Sequence, residues 1–217
     1  MGKIQVLTHE QEAILDEIKK NPVFKQFYFT GGTALSAFYL QHRYSDDLDF
    51  FTENKFNTQP ILDLIQTWSK KYNFSFTSEF QEVVYVFLLT FPNNSILKLD
   101  FGYYPYQKIK GAVLVEGIST DSLTDIAVNK LLTVTQRNTV KDFVDLYYLL
   151  PTFTIGDLME GVKNKFNTKI DPYILASDFL KVEDFDYLPK MIKPLTLEEL
   201  KTYFSNRAKE IGKRYIG

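Results

Sequence analysis

The spacing of hydrophobic and polar positions changes several times along this chain, and each change marks an element. Thr8 stands as an N-cap before a helix predicted from His9 to about Lys20, which Asn21-Pro22 stops. Gln26 to Thr30 reads as a short buried strand that Gly31-Gly32 breaks. The run from Thr33 to Leu40 carries few charges and predicts a buried helix. Asp46 to Thr52 alternates as a strand does, and Gln59 to Tyr72 returns to helix. Three strand-like runs follow, Phe74 to Phe80, Val83 to Phe91 and Ile96 to Phe101. Pro92-Asn93-Asn94-Ser95 between the last two is a turn signal. Ala112 to Val115 adds one more strand. Beyond Ser119-Thr120 the character becomes helical: Asp121 to Thr135, Thr139 to Leu150 up to Pro151, and a closing run from Leu195 to Tyr215.

This order predicts an α+β protein. A mixed sheet flanked by helices occupies residues 1–118, and an all-helical part, 119–217, packs on it. At 217 residues the chain can bury a sizeable core without staples. Its 19 Phe and 14 Tyr are more than usual, and because Phe recurs inside strand-like runs most of these aromatics are assigned to that core. A net charge of −2 argues against coating nucleic acid by bulk electrostatics, and leaves room for a local basic groove. The absence of cysteine excludes disulfides and thiolate metal sites. Met1 to Gln5 lacks the apolar run of a signal peptide, and no segment approaches ~18 consecutive apolar residues. A cytoplasmic protein without a membrane partner is the expectation.

The chemistry concentrates between Phe27 and Phe51. Phe29-Thr30-Gly31-Gly32-Thr33 reads as strand, glycine pair and helix start, and Arg43 to Phe51 leads through a polar turn into a strand carrying Asp47-Leu48-Asp49. Side chains two apart on a strand share a face, so Asp47 and Asp49 project together, with Cα atoms ~6.5 Å apart, while Leu48 and Phe50 face the core. Two carboxylates that close repel unless a cation lies between them. An oxygen-only ligand set selects Mg²⁺ or Mn²⁺. Gly31 and Gly32 let backbone N–H groups approach a phosphate where the helix begins at Thr33. Carboxylates that bind a metal, facing a phosphate cradle, are what phosphoryl and nucleotidyl transfer require.

Gly31-Gly32-Thr33-Ala34-Leu35, followed by Arg43-x-Ser45-x-Asp47-Leu48-Asp49-Phe50-Phe51, resembles the first motif of the AbiEii/AbiGii-type nucleotidyltransferase toxins, within the polymerase-β-like nucleotidyltransferase superfamily. The resemblance implies a nucleotidyltransferase-like sheet and a third carboxylate on a neighbouring strand. Asp100, at the end of the run through Ile96 and Lys98, fills that place as metal ligand or as the base for an attacking hydroxyl. Farther on, Asp125 to Leu132 and Arg137 to Leu146 are similar to the family's later helices. By that resemblance Lys130 contacts the nucleotide's phosphates, Asp142 supports the site, and Arg137 is a further nucleotide-binding candidate. The family more often has Arg where Lys141 stands, which weakens a bidentate phosphate contact there. Thr139 and Asp142 also have the spacing of a helix-capping pair.

Arg43 either holds a substrate phosphate or anchors the turn to Asp46. Ser45 is a nucleotide-binding candidate whose modification would place negative charge beside the carboxylates and is expected to inhibit. Tyr103, Tyr104 and Tyr106 are candidates for stacking on a base or for packing. His9 and His42 have no evident partner. Together these residues predict a metal-dependent enzyme that passes the NMP of an NTP to a hydroxyl acceptor. The resemblance implies a tRNA or protein acceptor, a cognate antitoxin, and a role in a toxin–antitoxin or phage-defence system. The rival readings are a non-catalytic nucleotide- or RNA-binding module on the same fold, and a kinase using the same metal site.

Overall fold

A computed structural model describes residues 5–216 of the chain, with side chains through Arg214. Met1 to Ile4, part of the stretch read above for targeting, lie outside the described residues. The described residues divide into two compact units: 5–39, 45–107 and 111–122 form the first, and 40–44, 108–110 and 123–216 the second.

The first unit opens on helix α1 (His9–Lys20), where Thr8 and Gln11 form a reciprocal capping box. A 3₁₀ turn (Pro22–Gln26) takes up the residues before β1 (Tyr28–Thr30), so the strand starts two residues later than the pattern suggests. Helix α2 (Gly31–Ala34) continues as a π-helical stretch through Leu40, and the glycine pair is its first turn rather than its lead-in. Then come β2 (Leu48–Thr52), α3 (Gln59–Tyr72), β3 (Ser75–Gln81), β4 (Val84–Thr90), β5 (Ile96–Tyr103), β6 (Val113–Val115) and β7 (Ile118–Thr120). Together they form a seven-stranded mixed sheet in the order β3-β4-β5-β2-β1-β7-β6. β2 pairs parallel with β5 and antiparallel with β1, and β7 pairs parallel with β1.

The aromatic excess has a structural reason. Leu48 and Phe50 on β2, Leu99 and Phe101 on β5, and Phe87 on β4 are fully buried on one face of the sheet. Phe24 and Phe27 pack on Phe101 at 5.3 and 5.2 Å between centroids, and Phe29 stacks on Phe50 at 5.0 Å. Offset and edge contacts of this kind add to the area they bury. The rigidity of that layer fixes the positions of the residues that alternate with it.

The second unit consists of α4 (Leu123–Gln136), α5 (Val140–Leu149), α6 (Ile155–Phe166), α7 (Pro172–Leu180) and α8 (Leu197–Ile216). Phe143, Phe179 and Phe204 are fully buried and meet edge-on within it. Two short segments belong to it. Tyr44 N–H donates to the Lys190 carbonyl, and Ile192 N–H donates to that of His42, so residues 42–44 lie along 190–192. The Asp125 carboxylate accepts from the amides of Ile109 and Lys110 and from Lys165 Nζ at 2.8–2.9 Å. No helix among the described residues is long and apolar enough to cross a membrane.

Candidate active site

Asp49 and Asp100 are register partners on the parallel strands β2 and β5, and Asp49 pairs across β1 with Thr30. Their neighbours Leu48, Phe50, Leu99 and Phe101 are buried in the aromatic layer, so strand alternation turns both carboxylates to the opposite face. β2 begins at Leu48, so Asp47 lies just before the strand rather than on it. Thr33 fixes Asp47 there, because its hydroxyl donates to the Asp47 carbonyl. Gln11 Nε2 holds the preceding turn by donating to the Ser45 carbonyl at 2.8 Å.

Gly31 stands against this group. Its φ is +75°, and a Cβ built there would collide with Asp49 Oδ2 and lie 2.9 Å from Asp49 Cγ. Only glycine tolerates both the backbone conformation and the approach. We expect Gly31→Ala to displace Asp49 and lower transfer about a hundredfold. The check is single-turnover kinetics together with a melting curve showing the variant folded.

Asp100 is 8% exposed, and its Oδ1 has no hydrogen-bond partner among the described residues. Its Oδ2 is held by Lys98, two residues earlier on the same face of β5. Burial pushes the Asp100 carboxyl upward and Asp47 adds to the effect, while Lys98 opposes it without cancelling it. An orphaned buried carboxylate oxygen suits a cation, and a raised pKa suits a proton acceptor. Among the described residues no three acidic or histidine side chains already converge as a closed cation cage. A cation held by Asp47, Asp49 and Asp100 would lie close to the Lys98 ammonium on Asp100 Oδ2.

The remaining candidates gather in the second unit. Lys130 is buried, with Nζ 2.8 Å from Asp142 and 2.6 Å from Asp145. Arg43, 1% exposed, grips Asp145 with two nitrogens at 2.6 and 2.9 Å. Asp145 is therefore an anchor of Arg43. His42 Nε2 donates to the same carboxylate at 2.7 Å, which supplies the partner that the sequence did not reveal. Arg137, largely exposed, bonds Asp142 at 2.7 Å. Thr139 makes no side-chain cap bond, so Asp142 serves this network rather than a capping pair. Desolvation opposes ionisation of Asp145, but Lys130, Arg43 and His42 overcome it and hold its carboxyl well below the ordinary range. Asp142 is lowered the same way, against its own burial, by Lys130 and Arg137. A phosphate contact from Lys130 requires its ammonium to exchange one of these carboxylates for the phosphate.

Burial holds the His42 pKa below its ordinary value; Asp145 raises it, and Arg43 and Lys130 lower it further. The unfolded chain, with a pKa of about 6.5, therefore takes up a proton before the folded one does. The stabilising effect is complete above that pH and is lost as pH falls toward the folded pKa. We expect the melting temperature to drop from pH 7.0 to 5.5, about in step with one proton taken up on unfolding, and His42→Gln to remove most of that slope.

Asp121, which the sequence pattern places in a helix, instead follows β7 directly, ahead of α4. It is fully buried, accepts from Thr30 Oγ1 at 3.1 Å, and donates its amide to the Phe29 carbonyl. It thereby pins the strand that delivers Gly31. Tyr104 stacks on Phe51 at 5.2 Å and meets Tyr106 edge-on, so those tyrosines pack on one another.

A mixed sheet with a glycine-started helix beside an Asp-x-Asp pair, and a third aspartate in register on the next strand, defines a nucleotidyltransferase-type fold. The comparisons agree. The family model for the nucleotidyl transferase AbiEii toxins of type IV toxin–antitoxin systems matches residues 13–213. The chain belongs to this family. An uncharacterized protein of Aquifex aeolicus (strain VF5) is 30% identical over 211 residues, 94% of this chain and 97% of its own. Among solved structures, JHP933 from Helicobacter pylori is similar with a TM-score of 0.61 at 23% identity, covering 96% of this chain and 94% of its own. MenT4, a nucleotidyltransferase toxin of Mycobacterium tuberculosis, gives 0.53 at 14% identity, covering 94% and 88%. Both likenesses concern the fold.

Proposed function

We propose that this protein is a metal-dependent nucleotidyltransferase, which takes the NMP from an NTP, attaches it to a hydroxyl on a tRNA or protein, and acts in the cytoplasm as a toxin checked by a cognate antitoxin. The observation that carries this reading is the in-register pair Asp49–Asp100 on β2 and β5, with Gly31 packed against Asp49 and Asp100 Oδ1 buried without a partner. Asp47, Asp49 and Asp100 would hold Mg²⁺ or Mn²⁺, which when bound neutralises triphosphate charge and activates the acceptor oxygen. The backbone amides of Gly31, Gly32 and Thr33 begin a helix, and unpaired amides at such an end orient a phosphate. Thr33 keeps Asp47 in place through its carbonyl, and Ser45 lies in the turn that delivers it. In the second unit Arg43, Lys130, Arg137, Asp142 and Asp145 form one ionic clasp, from which Lys130 and Arg137 are the side chains proposed to meet the nucleotide.

The test is the leaving group. Incubation with each NTP, Mg²⁺ and total RNA or lysate should release pyrophosphate in step with acceptor modification. Release of orthophosphate instead would favour the kinase, and binding without release would favour the non-catalytic module.

A further inference from the structure

Among the described residues Lys98 is the single basic residue that strands β2, β3, β4 and β5 place on its face of the sheet. The residues that share its face there are Asp49 and Phe51, Ile96, Asp100 and Gly102, the alternate residues of β4 from Val84 to Thr90, and those of β3 from Ser75 to Gln81. The charged side chains among them are the carboxylates Asp49, Asp100 and Glu79. The Lys98 side chain is 38% exposed, yet its ammonium turns to Asp100 Oδ2, whose own side chain is 11% exposed. Asp100 is thus half-satisfied: one oxygen on an ammonium, the other buried without a donor. An ammonium and a divalent cation compete for the same lone pairs, and two cations within a few ångströms of each other repel. Lys98 cannot leave the site by diffusion, because the strand tethers it.

We propose that Lys98 is a built-in counter-ion, which occupies Asp100 in the cation-free protein and must be displaced when a divalent cation enters among Asp47, Asp49 and Asp100. This rests on the carboxylate cluster being a cation site, as proposed above. The lysine thereby sets the cation affinity of the nucleotide-free protein and holds the carboxylates together until cation and nucleotide load.

The experiment is a Mn²⁺ titration of the full chain without nucleotide, followed by the electron paramagnetic resonance of free Mn²⁺, on wild type, Lys98→Met, Lys98→Arg and Asp49→Asn. Lys98→Met should bind Mn²⁺ about tenfold more tightly than wild type, Lys98→Arg within about twofold of it, and Asp49→Asn more weakly. Melting curves give a second readout: in chelator Lys98→Met should melt below wild type, and saturating Mn²⁺ should raise it by more. Wild-type binding with Lys98→Met unchanged or weaker overturns the counter-ion role alone. Absence of Mn²⁺ binding in wild type and Lys98→Met alike overturns the cation site and this role with it.

Discussion

Asp49→Asn is expected to lower nucleotidyl transfer about a thousandfold while the protein keeps its fold. Asn has the shape of Asp, so Leu48 and Phe50 stay in the aromatic layer and the register with Thr30 and Asp100 survives. What is lost is one negative charge at the point where Gly31, Asp49 and Asp100 meet. An amide is a poor ligand for a hard cation, and it leaves Asp100 with Lys98 as its counter-charge. The loss should fall on kcat, because the charge is needed when the phosphoryl oxygens and the acceptor oxygen share it, not when the base is bound. Single-turnover transfer beside a melting curve measures both; transfer within tenfold of wild type would remove Asp49 from the proposed machinery.

The second large effect is on stability. Asp145→Ala should destabilise the protein by about 3–5 kcal/mol and lower the melting temperature by about 10 °C. Asp145 is fully buried and satisfies His42, Arg43 and Lys130 together. Its removal takes both carboxylate hydrogen bonds from the guanidinium of Arg43, itself 1% exposed, and leaves Lys130 with Asp142 alone. The ion network as a whole need not be worth that much; the cost lies in a charge left buried without its partner. Arg137→Ala is the contrasting variant. Its side chain is 61% exposed, and although it also bonds Asp142, its loss should cost under about 1 kcal/mol. Equal effects of the two substitutions, measured by denaturant unfolding, would contradict this account of the clasp.

The sequence was most readable where a local signal coincides with a tertiary one. Thr8 caps α1 as its place before the helix suggests, and α3 has the limits its pattern predicts, Gln59–Tyr72. The alternation around Leu48-Asp49-Phe50 told which side chains face the core, because a strand's two faces are fixed by its period. The short strand β7 went unread: three residues, Ile118–Thr120, are too few to show a period, and their pairing with β1 depends on a partner about ninety residues away in the chain. Asp121 was misplaced for the same reason.

The ionic clasp shows the other limit. The family resemblance pointed to Lys130 and Asp142, and the motif around the glycine pair to Arg43. They did not say that Asp145 binds Arg43 and His42 across about a hundred positions of chain. Such pairs are legible only as an expense: an Asp, an Arg and a His in otherwise apolar surroundings, each of which must find a partner if buried. The Lys98–Asp100 pair was within reach, since both lie on one face of a strand, but a lysine beside a carboxylate reads at first as a surface ion pair.

The central claim is that the carboxylate cluster moves a nucleotidyl group. The most direct measurement gives purified protein, Mg²⁺ and total RNA or lysate the same NTP labelled at either the α- or the γ-phosphate, and counts label in macromolecules. The account predicts label from the α-phosphate only, abolished by Asp49→Asn. Label from the γ-phosphate, or α-label undiminished in Asp49→Asn, would contradict it.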